Sequence, residues 1–360
     1  MVRKGLETLV LLSDHGTAEL TDEMYFYLSK KLSKRHLEEF KPEHLYLNRF
    51  KDGEPNIRID ANVRKRNVFV IKSFNALVKR YDPKKEEPEI KFDPAKGYEE
   101  LFVINDALKR ASANEISNVL FYMPYLRQDR KDQPRRPITS KRYAQLTENS
   151  GAKRILTLEP HFKQLPGFYE LQFDDLKSSI IFSEYFETNY KKKLKKFVVA
   201  SPDLGGGERA NELAQNLKLP LVIDYKRRDP RTGEIKMRGI LKMSDVDLKG
   251  KYAILFDDII DSGGSIIKAA ENLKNEGIKK VYACCAHPVF SENAAEKLAD
   301  AGIEVIVTNS ILLDKEYPNV KVISLGRIGA EAIYEIYTGG SLSTNLFNYN
   351  NYKKLLKQSL

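Results

Sequence analysis

The feature that most restricts the fold of this chain is the alternation of short apolar, β-rich runs with longer helical ones. The β-rich runs are VFVI (68–71), NVLFYM (118–123), RILTL (154–158), FVVA (197–200), YAILF (252–256), VYACCA (281–286) and VIVT (305–308). Between them lie the helical stretches Tyr98 to Ala111, Ser140 to Asn149, Glu208 to Leu217, Ser265 to Glu276 and Glu292 to Ala301. This is the pattern of an α/β protein with largely parallel sheets flanked by helices. The clearest unit reads GKYAILFDD, IIDSGGS, IIKAAENLKNEG, IKKVYACCA, that is, strand, turn, helix, strand, with Gly277 as the helix stop. At 360 residues the rhythm outruns one average domain, and two similar ones are expected, meeting near residues 167–180.

One stretch breaks the rhythm. YDPKKEEPEIKFDPAKG, 81–97, has prolines at 83, 88 and 94 and dense mixed charge, and reads as a surface excursion. Cys284 and Cys285 are adjacent, which suits neither a disulfide nor zinc spacing; both are expected inside a buried strand, in a reducing compartment. No window reaches the roughly 18 apolar residues of a membrane span, and the run Leu9 to Leu12 is too short for a secretory signal. The plain expectation is a soluble, cytoplasmic protein that binds no membrane. The formal charge of +10 is compatible with nucleic acid, with anionic substrates or simply with a lysine-rich proteome, but the lysines are scattered and carry no nucleic-acid module, so nucleic-acid binding is not expected.

Three segments carry chemistry. In FDDIIDSGGS, 256–265, an apolar strand runs into Asp257 and Asp258, and then Asp261, Ser262, Gly263, Gly264 and Ser265 open a helix. Ligands of open α/β sheets bind at the carboxyl ends of strands. Paired glycines let amides curl inward, and the helix start adds positive partial charge, which suits phosphate. The carboxylates suit a polyol. A polar βα turn is the plain alternative for the short motif alone. In FVVASPDLGGGERANELAQNL, 197–217, Asp203 precedes three glycines and a helix, with no G-K-[ST] of a P-loop. An acid beside a glycine nest suggests a metal-chelated diphosphate. In PYLRQDRKDQPRRPITSK, 124–141, six Lys/Arg follow a strand and precede a helix, where arginine can stack on a base and fork onto phosphates.

The strings LRQDRK, HFKQLPGF, SPDLGGGERA, YKRR, FDDIIDSGGS and HPVFSENAAE occur in this order, and together they resemble the ribose-phosphate pyrophosphokinase family from about Phe50 to Phe347. FDDIIDSGGS is shared in outline with phosphoribosyltransferases; RQDRK and HPVFSENAAE are specific to the synthetases. The resemblance implies two phosphoribosyltransferase-like domains. The first covers 1–173, includes the 81–97 insertion and receives a C-terminal helix from 329–348; the second covers 174–328, and 349–360 is an extra tail. It implies transfer of a diphosphate from ATP to C1 of ribose 5-phosphate, with Mg2+, in a homo-oligomer of two subunits or more, up to a hexamer. Phe50, Asp52 and Glu54 match an ATP-contacting element that reaches across a subunit interface, and Arg127 and Gln128 match further ATP contacts. His161 and Asp203 match magnesium-linked positions. Asp257, Asp258 and Asp261 to Ser265 match the ribose 5-phosphate loop. Lys226 and Arg228 match the catalytic flexible loop, with Arg228 also near the sugar phosphate; YKRRDPRTGEIKMRG, 225–239, reads as that loop, its plainer alternative being a β-hairpin tip.

This sequence departs from the family pattern in the length of the 81–97 segment, in the extra stretch after Phe347 and at two places in the site. Serines 262 and 265 stand for threonines, and Glu159-Pro160-His161 stands for Asp-Leu-His, so that proline restricts Glu159. Two rival readings are a phosphoribosyltransferase, which has no use for RQDRK, and a non-catalytic regulatory homologue, which would lose the active residues.

Overall fold

A computed structural model of the chain describes residues 8–32, 36–40, 45–77, 89–228 and 235–358, excluding the side chains of 38–40, 226–228, 235–238 and 358. In chain order the strands are β1 (Leu9–Ser13), β2 (Leu37–Phe40), β3 (Leu45–Arg49), β4 (Pro55–Ile59), β5 (Asn67–Ile71), β6 (Asn75–Leu77), β7 (Ile90–Phe92), β8 (Glu115–Leu120) and β9 (Arg154–Leu158). They continue as β10 (Gln172–Leu176), β11 (Phe197–Ser201), β12 (Leu221–Arg228), β13 (Ile235–Lys242), β14 (Tyr252–Ile260), β15 (Lys280–Pro288), β16 (Glu304–Thr308) and β17 (Val320–Ile323). The helices are α1 (Ala18–Ser29), α2 (Pro94–Arg110), α3 (Thr139–Ser150), α4 (Ser178–Tyr190) and α5 (Gly207–Leu217). After them come α6 (Gly264–Asn275), α7 (Ala294–Asp300), α8 (Gly326–Thr338), α9 (Leu342–Asn345) and α10 (Tyr349–Gln358).

Two sheets organise the molecule, as the alternation requires. The first has the order β10-β9-β8-β5-β1-β2 and is parallel throughout. The second has the order β13-β12-β11-β14-β15-β16-β17 and is parallel except for the antiparallel edge strand β13. Both are buried on two faces, which is why their strands read as continuous apolar runs. In β1, Leu9 and Leu11 face one core while Val10 and Leu12 face another. In β14, Ala253 and Leu255 face one core, and Ile254 and Phe256 the opposite one. Each sheet reverses its strand order once, between β1 and β5 and between β11 and β14, and these are the places where α/β sheets open a crevice.

Several expectations need correction. A boundary at 173/174 falls inside β10, which pairs with β9 through Leu176 and so belongs to the first sheet. The 81–97 excursion lies outside the described residues up to 88. Its remainder is ordered: β7 pairs with β6, and Asp93 caps α2 by accepting from the Lys96 amide, with Pro94 in the first turn. Gly97 there is buried, and an added Cβ would sit 2.8 Å from the Phe74 ring. The 349–360 stretch is no loose tail as far as Gln358: it forms α10, and Tyr349 and Tyr352 enter the first core. α8 follows the last strand of the second sheet and packs on α1 through that same core. The two cysteines lie buried and unpaired in β15.

Candidate active site

The second crevice holds a cavity of about 380 Å³. Its floor is the carboxyl end of β14, which runs on through Asp257 and Asp258 to Ile260 rather than stopping at Phe256. Beyond it Gly263, at φ +79, turns the chain into α6, whose first turn is Gly264 to Ile266. An added Cβ at Gly264 would meet nothing within 4 Å, so the backbone there is open to a ligand. Asp203, Gly205 and Gly206, after β11, form the facing wall; Asp203 Oδ1 accepts from the Gly206 amide at 2.9 Å. His161 and Arg127 come from the first half of the chain. The cavity therefore gathers Arg127, His161, Asp203, Asp257, Asp258 and Asp261 to Ser265 from four separate segments.

The acids are held apart electrostatically. His161 Nδ1 lies 2.7 Å from Asp258 Oδ2. Arg209, in the first turn of α5, reaches Asp257 Oδ1 at 3.3 Å, Asp258 Oδ1 at 3.4 Å and Glu159 Oε1 at 3.1 Å. Burial raises the carboxyl of Asp257, and neighbouring Asp258 raises it further, leaving it well above the usual range. Burial acts on Asp258 in the same direction, but the His161 hydrogen bond and the Arg209 charge prevail and hold it below that range. The two neighbouring carboxyls are thus shifted in opposite directions by their surroundings. Burial also pushes Asp261 up, yet the Ser291 hydroxyl and Arg127 bring it below its ordinary value.

Arg209 and Glu159 were not singled out from the sequence as site residues. Arg209 had one signal: a cation in the first turn of a helix opposes the macrodipole, which implies a nearby carboxylate. Glu159 adopts φ +44 ahead of Pro160, and its buried carboxylate accepts from the Ser178 amide (3.0 Å) and hydroxyl (2.8 Å) as well as from Arg209. His287 secures the same turn. Its Nε2 lies 3.0 Å from the Leu158 carbonyl and its Nδ1 2.9 Å from Ser310 Oγ, an arrangement a neutral ring satisfies with Nε2–H donating.

Other expected residues lie apart. Phe50, Asp52 and Glu54 sit on the β3–β4 turn and line a different cavity, with Tyr46, Arg49 and Asn56. Arg49 braces that turn by donating to the Gly53 carbonyl at 2.7 Å and to Glu99 and Glu100. Gln128 does not line the central cavity; its carbonyl accepts from Ser140 Oγ at 3.0 Å, tying it to the start of α3. The side chains of Lys226 and Arg228 lie outside the described residues, as do residues 229–234. Their backbone belongs to the β12–β13 hairpin, with Lys226 opposite Arg238 and a register shift between Arg227 and Arg228. The arms of 225–239 are therefore paired strands rather than a free loop.

Residues 9–151 match the family model of the N-terminal domain of ribose phosphate pyrophosphokinase, and 240–348 match the phosphoribosyl synthetase-associated domain. The ribose-phosphate pyrophosphokinase of Campylobacter jejuni is 39% identical over 83% of this chain and 89% of its own length. That of Bacillus subtilis is 41% identical over 82% of this chain and 87% of its own length, and that of Bacillus caldolyticus is likewise 41% identical, over 82% and 88% respectively. The crystal structure of phosphoribosylpyrophosphate synthetase from Mycobacterium smegmatis superposes with a TM-score of 0.76 at 30% identity, covering 93% of this chain and 100% of that one. With relatives at this identity along most of its length, the chain belongs to the ribose-phosphate pyrophosphokinase family.

Proposed function

We propose that this chain transfers the β,γ-diphosphate of ATP to the C1 hydroxyl of ribose 5-phosphate, releasing AMP and phosphoribosyl pyrophosphate. The observation that carries this reading is the cavity at the β11/β14 reversal, which joins a paired carboxylate, a glycine-lined helix start and an arginine from the other half of the chain. In this reading Asp257 and Asp258 accept from the ribose hydroxyls, and the Asp261 to Ser265 loop with the α6 amides takes the 5-phosphate. Arg127 orients ATP. The C1 hydroxyl attacks the β-phosphorus and AMP leaves. No covalent enzyme intermediate is required, so the chain contributes position and charge.

A magnesium ion fits the residues present. Among the described residues no cluster of three or more His, Cys, Asp or Glu could cage a metal. Mg2+ keeps waters and substrate phosphates and needs one or two protein ligands. His161 and Asp203 both line the cavity, and the Asp258 contact at Nδ1 fixes the His161 ring in the way that metal-binding imidazoles are oriented. The ion would supply charge neutralisation on the diphosphate. Lys226 and Arg228 are proposed to do the same on the transferred group. Phe50, Asp52 and Glu54, on their separate turn, are proposed to complete the ATP site of a second copy of the chain.

Incubation with ATP, Mg2+ and ribose 5-phosphate, followed by separation of the products, tests the reading. AMP and phosphoribosyl pyrophosphate should appear in equal amounts. Their absence, from a folded protein that binds both substrates, would instead indicate a non-catalytic homologue. Nucleotide and diphosphate formed from added phosphoribosyl pyrophosphate and a base, with no product from ATP and ribose 5-phosphate, would indicate a phosphoribosyltransferase.

A further inference from the structure

Of the segment HPVFSENAAE only His287 and the Ser291 hydroxyl have entered the site so far, and the backbone that carries them is unusual. Phe290, Glu292 and Asn293 adopt φ of +47, +53 and +58, a left-handed region uncommon for residues with a Cβ. The helix expected from Glu292 begins instead at Ala294, after this turn. Such a conformation persists where its surroundings fix it, and here they belong to the sugar-phosphate loop. The amides of Val289 and Phe290 both donate to the Ile260 carbonyl at 3.1 Å. Ala294 packs beneath Gly263, where an added Cβ would lie 3.6 Å from its own. Between these contacts Ser291 Oγ donates to Asp261 Oδ1 at 2.5 Å, while Arg127 Nη1 takes Asp261 Oδ2, also at 2.5 Å.

We propose that Ser291 is a positioning residue for ribose 5-phosphate, acting through Asp261: the left-handed turn presents its hydroxyl so that one carboxylate oxygen is fixed and the loop is held ready for the sugar phosphate. Asp261 is only one-third exposed, at 33%, and with Oδ1 held its remaining freedom is a rotation that Arg127 opposes. Without the hydroxyl, the carboxylate must be ordered when the ligand arrives, and that cost falls on sugar-phosphate affinity rather than on the chemical step. The proposal rests on the diphosphotransfer reading, with the Asp261 to Ser265 loop as the sugar-phosphate site.

The test compares the wild type, Ser291→Ala and Ser291→Thr by equilibrium titration with ribose 5-phosphate and by steady-state kinetics. Ser291→Ala should weaken sugar-phosphate binding about tenfold, with kcat at saturation within about threefold and an unchanged melting midpoint. Ser291→Thr, which keeps the hydroxyl, should restore the affinity. On an Asp261→Asn background the alanine change should add less than about twofold, because the two residues act as one unit. Wild-type affinity in Ser291→Ala, a loss that threonine does not restore, or full additivity with Asp261→Asn would overturn the proposal and leave the function standing. A folded wild type that binds no ribose 5-phosphate would overturn both.

Discussion

The two sheets reverse their strand order in the same way and treat the resulting crevices oppositely. Between β1 and β5, where a ligand could sit, the chain places its own cation. Lys72, fully buried, donates to Asp14 Oδ2 at 2.5 Å and Glu100 Oε2 at 2.8 Å, and Arg49 reaches Glu100 Oε1 at 3.0 Å. Burial pushes the Lys72 ammonium down, but Asp14 and Glu100 more than compensate and hold it above its ordinary value. Between β11 and β14 the carboxylates Asp257 and Asp258 share Arg209, and the adjoining glycine loop opens onto a cavity. One crevice is filled by internal ion pairs and serves the fold; the other keeps its polar groups facing a space that a charged ligand can enter. The same layer architecture thus supports one crevice closed by its own ion pairs and one left open to a ligand, and the difference rests on a few side chains at strand ends.

The comparison breaks most visibly at Lys72. Lys72→Ala leaves Asp14 and Glu100 buried without their common partner, which should cost about 3–5 kcal/mol. Urea unfolding should show the loss, while sugar-phosphate affinity of the folded fraction stays normal. A stable variant with weakened substrate binding would mean that the first crevice also serves the reaction.

His287, at the seam between the halves, gives the next largest effect. Burial lowers its pKa from 6.5 to about 4. A depressed histidine stabilises the fold fully above the unfolded value of 6.5, and that stability is lost as pH falls toward 4. The loss should reach about 2 kcal/mol at pH 5 and about 3 kcal/mol at pH 4. Unfolding free energies at pH 7.5 and pH 5 should converge in His287→Gln relative to the wild type; an identical pH dependence in both proteins would remove His287 from the account.

A matched pair of glycines sharpens the contrast. Gly264→Val projects into the open cavity, so it should lower ribose 5-phosphate affinity by about 100-fold, through loss of charge-assisted hydrogen bonds, with little change in melting midpoint. Gly16 lies in the filled crevice, where an added Cβ would be 3.0 Å from the Asn75 carbonyl oxygen and 3.2 Å from Ser73 Oγ. Gly16→Ala should therefore cost about 1 kcal/mol of stability and leave binding unchanged. The reverse outcome for either glycine would contradict the assignment of its crevice.

Much of the open crevice was legible because its signals are local. A strand, two acids, paired glycines and a helix start occur within ten consecutive residues at 256–265. What remained hidden depends on partners distant in sequence. Arg209 acquires its role from Glu159 and Asp257, 50 and 48 residues away. α4 is absent from the helical stretches read in the sequence because Ile180 and Ile181 enter one core while Phe182 and Phe186 enter another, so its apolar residues do not gather on a single face. β14 appeared to end at Phe256 because two acids interrupt its apolar run, although the strand continues beneath them. In the C-terminal stretch the lysines at 353, 354 and 357 dominate the composition and conceal the buried Tyr349 and Tyr352.

The central claim is that substrate enters the β11/β14 crevice and not the β1/β5 one. Amide hydrogen exchange of the full chain, with and without saturating ribose 5-phosphate, tests it most directly. The account predicts slowed exchange across residues 261–266 and no change across 14–17 and 72–77. Protection of 14–17 and 72–77 with none at 261–266 would contradict it.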